Sequence, residues 1–135
     1  MTPVREAMVA DPPTLAGDAT AQEAGQALAR PEVRVVFVCD DARLVGVVTR
    51  KTLVREVVAA GLDPRATALE RIAERPHYTI DADLPVEDAF HFMEANDAER
   101  VPVVEGERLV GVLSRTVLQR RLAEDDPPEA DPDLV

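Results

Sequence analysis

The sequence predicts an α/β (α+β) fold built from two copies of one β-α-β-β-α unit. Three observations predict it: an internal offset of 65 residues, pairs of β-branched runs around short polar turns, and amphipathic helical spacing before and after each pair. The offset is set where Arg43 to Arg50 (RLVGVVTR) returns as Arg108 to Arg115 (RLVGVLSR), with Gly111 65 residues after Gly46. It continues without a gap, pairing Thr14 with Thr79, Asp18 with Asp83, Ala24 with Ala89, Val38 with Val103 and Leu53 with Leu118. One register held over such a span means duplication of a supersecondary unit.

Each copy opens on a short extended lead, Pro13-Thr14-Leu15 or Tyr78-Thr79-Ile80. A helix follows. Thr20-Ala21-Gln22-Glu23 is the pattern of a capping box, opening a helix that runs to about Arg30. In the second copy Pro85 suits a first helical turn, and Val86, Ala89, Phe90 and Met93 fall on one face. Next comes a hairpin: Arg34 to Cys39, the polar turn Asp40 to Arg43, then Leu44 to Val48. Its counterpart is Val101 to Val104, the turn Glu105-Gly106-Glu107, then Leu109 to Leu113. Pro102 cannot donate to a ladder, which places it at a strand's start or edge. The last element of the first copy is a helix from Lys51 to about Ala60, closed by Gly61 and stopped by Pro64.

These limits divide the 135 residues into copy one at 1–65, copy two at 66–124 and a tail at 125–135. About 60 residues is small for an independent core, so the two copies are expected to share one module. The acidic, Pro-rich tail has almost nothing to bury and is expected to be disordered.

Composition narrows the function. Apolar residues make up 46% but aromatics only 3%, so strands rich in Val and helices rich in Ala and Leu must build the core. The formal charge of -11 repels phosphate backbones and anionic headgroups, which disfavours nucleic acid and membrane surfaces as partners. No apolar run approaches the roughly 18 residues of a membrane span, and Met1 to Arg5 contains no apolar signal core. A cytoplasmic protein is expected. The single cysteine, Cys39, lies in an apolar run and is expected to be buried and structural.

The order of elements, the turn of Gly, two apolar residues and Thr or Ser after the second hairpin strand, and Arg100-Val101-Pro102-Val103-Val104 resemble the CBS-domain pair. The resemblance covers about residues 2 to 122, and Val4 to Met8 is similar to the family's lead-in. It implies two repeats related by a pseudo-twofold axis, two clefts between them, a homodimer, and a regulatory ligand such as AMP, ADP, ATP or S-adenosylmethionine.

In the family the turn reads Gly-h-h-Thr-x-x-Asp, h being apolar: the hydroxyl meets phosphate or ribose, and the Asp holds the ribose. Here the last position is Thr52 in one copy and Val117 in the other. A hydrogen bond to a charged group contributes about 1.5–3 kcal/mol, so the loss of the Asp costs roughly tenfold to a hundredfold in affinity. The resemblance implies a ligand set of Thr14, Phe37, Gly46, Thr49, Arg50, Lys51, Thr52, His77, Tyr78, Thr79, Pro102, Ser114 and Arg115. Thr52 retains a hydroxyl where Val117 has none, so the first copy is expected to bind better. The plainer alternative is that Thr49 and Ser114 only cap helices, with Arg50, Lys51 and Arg115 solvated.

His91 and Asp88 sit three apart on a helix, but no third ligand stands at metal spacing, so no metal site is expected. Phe90 and Met93 fit a core face, while Phe92 falls off it and is assigned to a dimer surface. No nucleophile–base, Walker or dinucleotide fingerprint appears, so no enzyme activity is expected. Two functions remain: an adenosyl-ligand sensor that signals through shape or dimerisation, and a ligand-free interaction module that regulates a separate chain.

Overall fold

The structure, a computed structural model, describes residues 2–125. The tail expectation falls on residues that lie, from 126 onward, outside the described residues. The elements run β1 (Val9–Ala10), β2 (Thr14–Leu15), α1 (Ala21–Leu28), β3 (Val36–Asp40), β4 (Arg43–Val48), α2 (Arg50–Leu53), α3 (Leu69–Ile72), β5 (Ile80–Asp81), α4 (Val86–Ala95), β6 (Arg100–Glu105), β7 (Arg108–Ser114) and α5 (Arg115–Asp125). A 3-10 turn at Val4–Glu6 precedes β1, and a π-helical turn at Val54–Val58 continues α2. The described residues fall into two compact units: 12–77 with 107–109, and 2–11 with 78–106 and 110–125. We call them the first-repeat and second-repeat units.

In the first-repeat unit β2 pairs parallel with β3, Thr14 opposite Phe37, and β3 pairs antiparallel with β4. The capping box opens α1 as expected: Glu23 N–H donates to the Thr20 hydroxyl, and Thr20 N–H to the Glu23 carboxylate. The apolar face of α1 (Ala21, Ala24, Leu28) closes over Val36, Val38 and Val48 of the sheet, with Val57 and Leu69 completing the core. The hairpin turn is tighter than its sequence suggests. Asp41 and Ala42 alone make it, both at positive φ (51° and 69°), the geometry that two-residue hairpins demand.

The helix expected from Lys51 to Ala60 is instead four residues of α-helix and a π-helical turn. Ala59 N–H donates to Val54 O and Leu62 N–H to Val57 O, five residues back in each case. The wider turn carries Val57 into the core and leaves Val54 and Val58 59% and 72% exposed. Gly61, at φ 72°, ends it as a left-handed cap.

The second-repeat unit repeats the plan, with β5 parallel to β6 and β6 beside β7. Its core gathers Val86, Ala89 and Met93 of α4 with Val101, Val103, Leu113 and Leu118. Cys39 departs from expectation: it is only half-buried, and burial, with Asp40 beside it, pushes its thiol pKa up. Phe92 packs against the second-repeat core and meets Tyr78 edge-on at 5.4 Å.

Both units are completed by a segment that precedes the opposite repeat in the sequence. Residues 2–10 dock in the second-repeat unit, where Val4 is fully buried, Val4 N–H bonds Leu84 O at 2.8 Å, and Val86 N–H bonds Thr2 O at 2.9 Å. Residues 67–74 dock identically in the first-repeat unit: Leu69 is fully buried, Leu69 N–H bonds Ala19 O at 2.8 Å, and Ala21 N–H bonds Thr67 O at 2.8 Å. Every partner is displaced by the same 65 residues, so the duplication extends to its hydrogen bonds.

The charges do not follow. Arg5 bridges Asp83 and Glu105 at 2.5 Å each, and Asp83 first, then Glu105, raises its already high pKa further. The corresponding residues of the first-repeat unit are Glu70, Asp18 and Asp40, three carboxylates, with Glu70 and Asp40 both crowding Gly17. Glu70→Arg is therefore expected to restore the missing bridges and raise the melting temperature by about 2–4 °C, the scale of a well-placed surface pair. An unchanged or lower melting temperature in calorimetry would show that the three acids do not repel one another.

Candidate functional site

The turn after β4 is built by Thr49 and Thr52. The Thr49 hydroxyl accepts from Thr52 N–H at 3.3 Å, Thr49 N–H donates to the Thr52 hydroxyl at 3.1 Å, and the two hydroxyls lie 3.1 Å apart. Thr52 is fully buried, and its hydroxyl closes the cap. Thr49 remains half-buried at the rim of the turn.

Arg50 reaches back across the turn, and its guanidinium donates to the carbonyls of Arg30 (2.9 Å) and Val33 (2.8 Å). Those acceptors carry no formal charge, so among the described residues the cation is held in place but not neutralised. Lys51 is exposed and makes no hydrogen bond or ion pair among the described residues. Two positively charged residues thus follow Thr49 in the chain. The same sheet aligns Thr14, Phe37 and Val47 in one register row, two residues before Thr49 along β4; Thr14 is exposed and Phe37 buried.

Gly46 has a packing role. A Cβ there would lie 2.7 Å from Ala73 Cβ and 3.2 Å from Glu74 O, because Glu74 pairs with Val47 through bonds of 2.7 and 2.9 Å. Gly111 is the same: its Cβ would meet Met8 Sδ at 2.5 Å and Val9 O at 2.8 Å. Both glycines admit the segments that complete the units.

In the second-repeat unit Ser114 caps α5 with a 3.4 Å bond from Val117 N–H. Arg115 there pairs with Asp97 and Glu99, each at 3.3 Å, and is neutralised by them. Sequence reasoning missed these two acids, although both stand in the short loop before β6. Pro102 is buried third in β6, a strand with neighbours on both sides, and not at the strand start or edge expected of it. Without an N–H it lacks the bond that Phe37 at the matching place donates to Pro13 O, and the β5–β6 pairing begins one residue later, at Val103. His77, Tyr78 and Thr79 are all exposed.

The hydrogen bond from Thr116, then the charge of Arg115, hold the Glu99 carboxyl below its ordinary value of 4.5. A depressed carboxyl stabilises the fold above that ordinary value and loses its contribution as the pH falls through the depressed one. Glu99→Gln should accordingly lower the melting temperature at pH 7 and match the parent chain in acid. A deficit that persists at pH 2–3 would count against the assignment.

The CBS domain family matches residues 4–59 and 69–124. The chain belongs to the CBS-domain family. Its two repeats form a tandem CBS module of mixed α/β structure. Hypoxic response protein 1 of Mycobacterium tuberculosis is 31% identical over 125 residues, 92% of this chain and 87% of that protein. A crystal structure of Hypoxic Response Protein I with two coordinated zinc ions is similar at a TM-score of 0.76 and 30% identity, over 90% of this chain and 99% of that one. The structure of CBSX2 in complex with AMP shares the fold at a TM-score of 0.73 and 19% identity, over 92% and 98%.

Among the described residues of this CBS module no three His, Cys, Asp or Glu side chains gather as a metal-ligand set. No helix among them is long and apolar enough to cross a membrane. The module does carry an apolar groove of about 410 Å³, in the first-repeat unit between α1 (Ala21, Gly25) with Ala29 just past its end and Val57, Val58 and Leu62. Gly25 leaves it open. The second repeat has Phe90 at the matching position, packed against the core.

Proposed function

We propose that this CBS module is a regulatory sensor that binds an adenosyl ligand (AMP, ADP, ATP or S-adenosylmethionine) in the first repeat and signals to a separate chain. The observation that supports the reading is the charge contrast between the two turns: among the described residues Arg50 and Lys51, next to Thr49 in the chain, have no acidic partner, whereas Arg115 is neutralised by Asp97 and Glu99. On a chain of net charge -11, a local pair of cations is where an anionic phosphate or the carboxylate of S-adenosylmethionine gains most. Thr14 and the backbone around Phe37 and Val47 supply the adjoining sheet surface. Without the ribose-binding Asp, affinity in the micromolar to millimolar range is expected.

The experiment is a thermal-shift panel of the four ligands at millimolar concentration. A ligand present at about 100 times its dissociation constant stabilises by about 2.7 kcal/mol, a shift of several degrees. No shift with any of the four overturns the reading.

The groove beside Gly25 and the exposed Val54 and Val58 favour a second reading, a protein interaction module that docks a second copy or another chain on this helical face. Val58→Glu should then abolish association measured by light scattering and leave the ligand shift intact.

A further inference from the structure

We propose that residues 2–10 are exchangeable, so that the slot they fill on the second repeat also accepts the same segment from a second copy of the chain. The slot is small and self-contained. It offers one buried place for Val4, three backbone bonds at Leu84 O, Ala82 O and Val86 N–H, a two-residue strand edge at Gly111 and Val112, and the carboxylates of Asp83 and Glu105 for Arg5. A second copy supplies every one of these contacts with identical chemistry, so the contacts themselves do not choose between the two arrangements.

The connector decides. Asp11 stands at φ 51°, in the left-handed region that Asp enters more readily than most residues, but it precedes Pro12 and Pro13, and a residue before proline favours the extended region. Prolines favour an extended connector, and extension relieves Asp11; both act against folding back and for reaching out to a neighbour. The closed form is held by proximity alone, so exchange rises with protein concentration.

The test uses full-length chains carrying Cys39→Ser. One chain carries Arg5→Glu and Val9→Cys; the other carries Asp83→Arg, Glu105→Arg and Val112→Cys. Val9 and Val112 are register partners, and the charges match only when the segment crosses between chains. After mixing and mild oxidation, non-reducing electrophoresis is expected to show a covalent heterodimer as the main product. It should be lost when only one chain carries the reversed charges. Absence of the heterodimer from the charge-matched pair, with both chains folded by circular dichroism, overturns the proposal. Should charge reversal unfold either chain, the same two cysteine chains with native charges are oxidised over a concentration series. A covalent dimer that grows with concentration supports exchange, and none at any concentration overturns it.

Discussion

Met93→Ala is expected to destabilise the chain by about 2–5 kcal/mol, the range for truncating a long buried side chain to alanine. Met93 is fully buried on the inner face of α4, in the cluster that joins that helix to Val4, Val101, Val103 and Leu113. Its loss removes packing from the helix, the sheet and the docked N-terminal segment together, so no neighbouring element can collapse into the space without leaving another contact. At roughly 4 °C per kcal/mol for a chain of this size, the melting temperature should fall by about 8–20 °C. Thermal denaturation measures it directly. Phe92→Ala, at a half-buried ring that stacks edge-on against Tyr78, should cost distinctly less. A reversed order would mean that the core is not organised around the inner face of α4.

Gly111→Ala carries the next largest effect, about 1–3 kcal/mol from overpacking alone. Nothing about φ requires glycine at this position; what requires it is Val9 O, 2.8 Å from the new methyl, and Met8 beside it. Met8 is flexible and can turn aside, but the carbonyl belongs to the β1–β7 pairing and moves only with the strand. Gly106→Ala is the control: no atom lies within 4 Å of its Cβ, and only its φ of 62° opposes the substitution. If Gly111→Ala costs no more than Gly106→Ala in a denaturant titration, the segment around Val9 does not pack where the structure places it.

Much of this was legible in the sequence because repetition samples the same physics twice. The capping box at Thr20, the two hairpins and the apolar faces of α1 and α4 each followed from local pattern. The docked segments did not. Val4 and Leu69 occupy equivalent places in the repeat and are both apolar, so no sequence pattern distinguishes docking on one repeat from docking on the other. The π-helical turn was missed for another reason: Val54, Val57 and Val58 satisfy ordinary helical spacing, and only the hydrogen bonds reveal the wider winding.

Less of the candidate site's local geometry was legible. Thr52 retains a hydroxyl at the last position of the motif, and only the structure shows that this hydroxyl closes a cap and is buried. Gly46 belonged to a recognisable turn, but its lack of a side chain serves the approach of Ala73 and Glu74. What motif spacing did not show is the neutralisation of Arg115, since it depends on where the loop carrying Asp97 and Glu99 lies against the start of α5.

The central claim is that the first repeat's turn, not the second's, holds the ligand. Calorimetric titration of AMP tests it most directly, into the parent chain, the Arg50→Ala/Lys51→Ala variant and the Arg115→Ala variant. Loss of the two first-repeat cations should weaken binding by roughly tenfold or more, as expected for removing charge-assisted contacts, while Arg115→Ala changes it little. Equal losses in both variants, or a larger loss in Arg115→Ala, would contradict the assignment.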